Sequence, residues 1–462
     1  MKNIEQINGI KISVNFFKVG TLVLMAMLMT SISTNAQITP KKVEAAIKKI
    51  TSYLDKIDSE NKFNGTLLIT EHDKVLFQQA YGYEDENREI PNTVETAYDI
   101  ASMGKMFTAV SIMQLHENGL LQLDDTIGKI LQTYPNVDVR EKVTINQLLS
   151  HTSGLGDFFN KEFFELPEGS IQKLEDILPF FVNDPLEFQP GQSFRYSNAG
   201  YVVLGLIIEN VTNQSYNSYV RQNIFKPLKM NSSVELLSSA GGGLLTVMDF
   251  HKFALALRSN KLVSKKSFKL MTTDGFKNDY GLGLSLSNIN GIEIYGHSGG
   301  APETSGELDI VKNSPITIIS LSNRSAMEGW AQVRTFIRNE FFGVTKESIQ
   351  LLNTEEVIRI YKENGFDLAK AKLKELDNNI SDKNTFHYAQ QYLNQQKFVK
   401  AIDVMKLIVE AYSNEWYPYS FLADFYLEAG QKSKAIFNYK KSLVINPENQ
   451  HAIEQLALIE KN

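Results

Sequence analysis

The chain has 462 residues, 43% apolar and 22% charged, the composition of a soluble globular protein with a sizeable core and about two or three domains. A formal charge of −6 gives no electrostatic case for nucleic-acid binding. The absence of cysteine excludes disulfides, thiolate metal sites and cysteine nucleophiles, and the seven histidines include no His-Glu-x-x-His pair, so no metal site is expected.

Residues 1–36 read as an export signal. Lys2, Lys11 and Lys18 precede the uncharged apolar stretch 19–32, and Thr34-Asn35-Ala36 offers a small-residue cleavage site. The stretch is short for a membrane span, which needs about 20 apolar residues. The expected location is the periplasm or the medium, the alternative being a membrane anchor formed by an uncleaved signal. No cysteine follows the apolar stretch, which excludes a lipid anchor.

A first folded domain is expected over residues 41–345. Residues 63–83 alternate and turn like a β-hairpin, with strands at 65–70 and 75–81. From Ser102 to Leu115 the apolar residues Met103, Met106, Phe107, Val110 and Met113 mark a buried helix that ends before Gly119. Amphipathic helical stretches then dominate residues 127–270, including 201–210 and 247–258. Apolar runs at 281–286, 306–311 and 316–321 return to a strand-like pattern. The order of strands, helices and strands predicts an α+β fold: an antiparallel sheet flanked by helices, its terminal segments neighbours, with a helical subdomain inserted between them.

An all-α helical-repeat domain is expected over residues 350–462. Ala389, Tyr392-Leu393 and Ala401-Ile402 recur 34 residues later as Ala423, Tyr426-Leu427 and Ala435-Ile436. With Gly430 in a turn and Pro447 at the end, residues 384–447 resemble tetratricopeptide repeats, extended and capped by helices at 354–376 and 451–459. Stacked helices make a concave surface suited to a protein partner. Trp416, Tyr417, Tyr419, Phe421, Phe425 and Tyr426 would line such a groove or fill the core, and core is the commoner use of this spacing.

Three short motifs carry chemistry. In the first, Ser102 and Lys105 place a hydroxyl and an amine on one face of a nascent helix. A serine needs a base within hydrogen-bond reach, and a lysine whose ammonium is disfavoured by burial can be that base. The plainer alternative is a capping serine and a solvated first-turn lysine. Spacing alone does not decide, because Ser59 with Lys62 and Ser170 with Lys173 repeat it. The second motif is Tyr196-Ser197-Asn198. A tyrosine near a lysine ammonium can ionise below its solution pKa and shuttle protons, while asparagine presents both a donor and an acceptor.

The third motif runs from Tyr295 through His297 to Gly300. Its glycines let a backbone amide approach a developing oxyanion. It also satisfies Gly-x-Ser-x-Gly, which would make Ser298 the nucleophile of an α/β-hydrolase elbow. That rival requires a helix directly after the serine and a later histidine. The chain instead continues into Pro302 and a predicted strand, and the later His387 and His451 fall in the helical repeats.

In this order and setting, the motifs resemble those of the serine β-lactamase and penicillin-binding-protein superfamily. More narrowly, residues 45–343 resemble the class C β-lactamase-related serine hydrolases, a group of D,D-peptidases, esterases, amidases and β-lactamases. The segments 144–155 and 280–283 are further family-like stretches, which makes His151 structural. The resemblance implies a β-lactamase-like fold and an acyl-enzyme on Ser102, with Lys105 assisting in removing its proton. It implies Tyr196 as general base or proton relay, Asn198 orienting the substrate amide, and His297 positioning Tyr196 or the substrate. The amides of Ser102 and Gly300 would form the oxyanion hole. No cofactor is implied, and no motif specifies an oligomeric state. One departure stands out: many members carry Lys-Thr-Gly at the third motif, where this chain has His297-Ser298-Gly299. A histidine is charged only near or below its pKa, so efficient β-lactam hydrolysis is not the expectation. The expected activity is cleavage of an ester or amide, with D-amino-acid peptides among the candidate small-molecule or peptide substrates. The competing expectation is a non-catalytic scaffold presenting the helical repeats to a partner.

Overall fold

The computed structural model describes residues 38–461, apart from 60–62, 85–86, 88, 168, 233–235 and 237. The expected export signal, and part of the Ser59 to Lys62 motif, lie outside the described residues.

Helix α1 (Pro40–Ser59) leads into a hairpin of β1 (Gly65–Glu71) and β2 (Lys74–Tyr81). The long helices of the middle segment are α2 (Lys105–Glu117), α3 (Asn198–Thr212) and α4 (Val247–Arg258). Strands β3 (Ser285–Ile289), β4 (Ile292–Ala301), β5 (Thr304–Val311) and β6 (Ile316–Ser322) follow, and α5 (Ala331–Phe342) closes this part. The strands form one antiparallel sheet in the order β2-β1-β6-β5-β4-β3. Leu68 on β1 lies opposite Ile319 on β6, so the two ends of the segment are neighbours, as the sequence pattern predicts.

Successive side chains on a strand point to opposite faces, and this sorts the core into two layers. Leu67, Ile69, Ile294 and Ile318 face α1 and α5, where Ile50, Leu54, Val333 and Ile337 complete the layer. Leu68, Leu308, Ile310 and Ile319 face the helical half. There Phe107 of α2 packs with ring centroids 5.3, 5.9 and 4.7 Å from Phe225, Phe250 and Phe253. Full burial of a side chain of this size contributes roughly 1.5–3 kcal/mol, which makes α2 a central pillar for the turn it carries.

An ionic cluster is buried between β5 and α5. Arg334 forks onto Glu307, and Arg338 donates to the same carboxylate at 2.7 Å. Desolvation opposes a charged Glu307, yet the two guanidiniums hold its carboxyl below the ordinary range. Desolvation and the Glu307 charge push neighbouring Asp309 up to about 6.

Two local expectations change. Residues 281–284 do not form a strand: Gly281 lies so close to the Met271 carbonyl that a Cβ would sit 2.0 Å from it, and Gly283 at φ +75° packs on Ala109. Their apolar side chains serve the helical core, and the strand begins at Ser285. The helix expected from Ser102 also starts later, because residues Ala101–Gly104 form a 3-10 turn and α-helical geometry begins at Lys105.

Beyond the sheet lie α6 (Lys346–Asn364), α7 (Phe366–Glu375), α8 (Asp382–Asn394), α9 (Phe398–Ala411), α10 (Tyr417–Glu428), α11 (Lys432–Ile445) and α12 (Gln450–Lys461). They share a hydrophobic core separate from the two layers above. The pairs α8/α9 and α10/α11 carry the recurring residues at equivalent places: Ala389, Ala423, Ala401 and Ala435 are all fully buried. The turns match as well, since Gln396 at φ 57° stands where Gly430 stands at φ 71° one period later. Tyr419, Phe425 and Tyr426 are buried, while Phe421 is partly exposed.

Truncating Glu307 to Ala removes a buried carboxylate from between two partly exposed guanidiniums and deletes its charged hydrogen bonds, a change that typically costs about 1.5–3 kcal/mol. Urea unfolding of the E307A protein is expected to show a loss of that size; an unchanged midpoint would deny the cluster its structural role.

Candidate active site

Ser102 stands on a bare patch of the sheet. Gly299 on β4 and Gly306 on β5 are directly opposed, and both present their side-chain direction to the helical half. A Cβ on Gly299 would meet the Ile100 carbonyl at 2.3 Å, and one on Gly306 would meet Met103 Sδ at 2.8 Å. The 3-10 turn lies where those side chains would be. From the other side it is held by the loop 240–243: Gly242 N–H donates to the Ala101 carbonyl and Ile100 N–H to the Gly243 carbonyl. Ala101, just before the serine, sits at φ 43°, a left-handed conformation that L-residues other than Asn and Asp rarely adopt. Neither the 3-10 turn nor α2 has a side-chain cap, so Ser102 is not a capping serine.

Lys105 is fully buried, which removes the alternative of a solvated lysine. Desolvation lowers its pKa from 10.5 to about 7, against the opposing pull of Asp157. Its Nζ has three neighbours: the Ala240 carbonyl at 2.5 Å, Asn198 Oδ1 at 2.7 Å and Ser102 Oγ at 3.2 Å. Two of these are carbonyl oxygens and can only accept. A neutral amine has two hydrogens and one lone pair, so its hydrogens go to Ala240 and Asn198 and the lone pair is left facing the Ser102 hydroxyl.

The Asn198 orientation is itself determined. Its Nδ2 donates to Asp157 Oδ2 at 2.7 Å and its backbone N–H to the same oxygen at 3.2 Å, which turns Oδ1 toward Lys105. Asn198 opens α3 behind Ser197, whose hydroxyl accepts from Gly200 N–H and donates to the Gly156 carbonyl. His151 Nδ1 accepts from Ser197 N–H at 3.1 Å, and the imidazole packs 4.2 Å from the Tyr196 ring. That bond places the His151 proton on Nε2. Burial, together with the Lys105 charge, pushes this imidazole well below its ordinary pKa.

Of the two roles the resemblance implies for Tyr196, general base or proton relay, burial favours the protonated relay. Burial raises its pKa, and only the neighbouring Ser102 side chain opposes the rise. Lys105 Nζ lies over its ring, 4.9 Å from the centroid, rather than bonded to its oxygen. The Tyr196 hydroxyl is buried without a formed hydrogen bond.

His297 points inward from β4, as its pairing with Leu308 requires. Nδ1 lies 2.5 Å from the Ser298 carbonyl and must donate, so Nε2 accepts from the Tyr280 hydroxyl at 2.9 Å. Desolvation and the Lys105 charge lower its pKa to about 4, so the third motif is neutral near pH 7. Ser298 points the opposite way, toward solvent in mid-strand, and no helix follows it, which removes the elbow reading. Gly300 is exposed near the end of β4, and a Cβ there would meet only the Thr304 carbonyl, at 3.9 Å.

Three participants were not singled out by the motifs: Asp157, the loop 240–243 and Tyr280. Three successive glycines at 241–243 were a visible sign of close backbone approach. Asp157 and Tyr280 adjoin or begin the family-like stretches but carry no signature of their own.

Residues 50–235 match the β-lactamase family. The fold of this part of the chain is the β-lactamase-like fold that the penicillin-binding proteins share. Penicillin-binding protein 4* of Bacillus subtilis is 28% identical over 327 residues, 60% of this chain and 72% of that protein. Protein flp of Staphylococcus aureus is 36% identical over 167 residues, 36% of this chain and only 33% of flp. The crystal structure of a penicillin-binding protein from Bacillus halodurans superposes with a TM-score of 0.55 at 29% identity, covering 61% of this chain and 98% of that one.

If neutral Lys105 is the base, the rate of Ser102 modification by a fluorophosphonate rises with pH through about 7 as the ammonium loses its proton. Asp157 favours the ammonium, so Asp157→Asn is expected to move this limb to lower pH; an unmoved limb would separate Asp157 from Lys105. A second expectation concerns stability. Between about pH 4, where folded His297 protonates, and 6.5, its ordinary value, the unfolded chain binds more protons, so stability falls as pH drops through this window. Urea titrations should show a shallower decline for His297→Gln.

Proposed function

We propose that the chain is an exported serine hydrolase of the class C β-lactamase-related group, cleaving an ester or amide bond through an acyl-enzyme on Ser102. The observation that carries this reading is the buried Lys105 amine, whose pKa near 7 and two carbonyl partners leave its lone pair for the serine. As Ser102 Oγ attacks the substrate carbonyl carbon, its proton passes to Lys105 Nζ. The oxyanion meets the amides of Ser102 and Gly300. An ammonium is costly in this dry setting, so the proton moves on to the leaving group, with the protonated Tyr196 hydroxyl as relay. Water then attacks the acyl carbon, the same groups working in reverse. Asn198 orients Lys105 and offers its amide side to the substrate.

A D-amino-acid peptide is one substrate class within this reading, as the resemblance of the three motifs implies. Neutral His297, with both nitrogens engaged, supplies no fixed cation for a substrate carboxylate, which argues against efficient β-lactam turnover. The export signal at residues 1–36 would place the activity outside the cytoplasm. The helices from residue 346 onward are tetratricopeptide-like repeats in this reading, supported by the matching buried alanines and turns, and they offer a surface for a peptide partner.

Labelling with a fluorophosphonate and with a fluorescent penicillin tests the reading. The parent protein should take up the fluorophosphonate at Ser102, and Ser102→Ala should not. Equal labelling of the two proteins by both probes would sink it.

A further inference from the structure

The Tyr196 hydroxyl neighbours Ser102, and Lys105 Nζ lies 4.9 Å over its ring, yet no formed hydrogen bond at the phenol oxygen aims it. Its direction must come from the ring and the main chain, and one residue grips both. His151 is fully buried just beyond the short helix Ile145–Leu149. It accepts on its carbonyl oxygen from Arg195 N–H at 2.8 Å and on Nδ1 from Ser197 N–H at 3.1 Å. The residues on either side of Tyr196 are therefore pinned to one partner. That partner's imidazole also packs on the phenol, with ring centroids 4.2 Å apart and an interplanar angle of 32°. The rings of Tyr280 and His297 stand farther from Tyr196, at 6.3 and 6.4 Å.

Few side chains meet the requirements of this grip. His151 holds φ 57°, a left-handed backbone that His, Asn and Asp adopt more readily than other L-residues with a Cβ. Its ring must be neutral, because Nδ1 faces a donor and a second proton would set N–H against N–H. Burial and the Lys105 charge keep it neutral. The imidazole is itself fixed, 5.0 Å from the Tyr201 ring and 4.7 Å from that of Tyr280, and the Tyr201 hydroxyl donates to the Leu149 carbonyl at 2.9 Å.

We propose that His151 is a positioning residue for proton delivery: through its two acceptors and its ring face it holds the Tyr196 hydroxyl at the reacting centre. The proposal rests on the serine-hydrolase reading, in which Tyr196 gives its proton to the departing atom of the leaving group and takes one from the Lys105 ammonium. It adds that dependence on His151 grows with the basicity of the leaving group, because a group that departs as a stable anion needs no proton.

The test compares kcat/KM for phenyl acetate and p-nitrophenyl acetate in the full chain and in His151→Leu, which keeps the bulk and loses the acceptor. His151→Gly, at ease with a left-handed backbone, takes its place should that variant fold poorly. Either substitution should lower kcat/KM for phenyl acetate about tenfold more than for p-nitrophenyl acetate. Tyr196→Phe should show the same selective loss, and the His151 substitution should add nothing to it. His151→Asn, whose Oδ1 is as many bonds from Cβ as Nδ1 and can accept from Ser197 N–H, should bring the ratio most of the way back to that of the parent. An unchanged ratio, whether both rates fall or neither does, overturns the positioning role and leaves the hydrolase reading intact. So does an additive loss in the double variant, a Tyr196→Phe protein without the selective loss, or a His151→Asn protein no better than His151→Leu. Fluorophosphonate labelling of parental Ser102 is followed in parallel. Label without turnover of either ester removes proton delivery and the proposal; absence of label removes the hydrolase reading as well.

Discussion

Everything in the candidate site follows from the burial of one amine. An ordinary lysine is charged at neutral pH and useless as a base, and water would keep it so. By enclosing Lys105 completely, the fold makes the neutral form accessible near pH 7. The two carbonyl acceptors then do more than satisfy it. They consume its hydrogens and leave a single direction for its lone pair, toward Ser102.

That burial requires backbone segments far apart in the sequence to meet at close range. The turn bearing Ser102 presses on facing glycines of β4 and β5 and is clasped behind by the loop 240–243. The left-handed backbone at Ala101 is the local cost of this crowding. The sheet is therefore more than a platform, for it supplies the missing side chains, at Gly299 and Gly306, into whose space the turn bearing Ser102 is set.

The sequence made the fold class legible because its periodicities switch where the structure switches: alternation in β1 and β2, helical stripes in α2, α3 and α4, alternation again in β5 and β6. It misled at 281–284, where apolar residues and glycines serve a helical core through a loop, and composition cannot distinguish that use from a strand. Ser102, Lys105, Tyr196, Asn198 and His297 are drawn together as their motifs suggested. The electrical states of Tyr196 and His297 were not legible: burial opposes ionisation of the phenol, and the histidine is neutral with both nitrogens engaged. Such states depend on how much water surrounds a group, which arises only after distant segments have packed. Asp157 escaped notice for a related reason, since a lone carboxylate has no spacing to betray it.

The matched turns at Gln396 and Gly430 have a consequence for how this chain can change over evolutionary time. The period is written in backbone geometry as well as in the apolar pattern, for a left-handed turn residue and a pair of buried alanines recur at the same spacing. Helices α6 and α7 separate these pairs from the sheet in sequence. Gain or loss of a whole helical pair would therefore change the length of the helical part while leaving the sheet and its two core layers intact in sequence, so the two parts could vary separately.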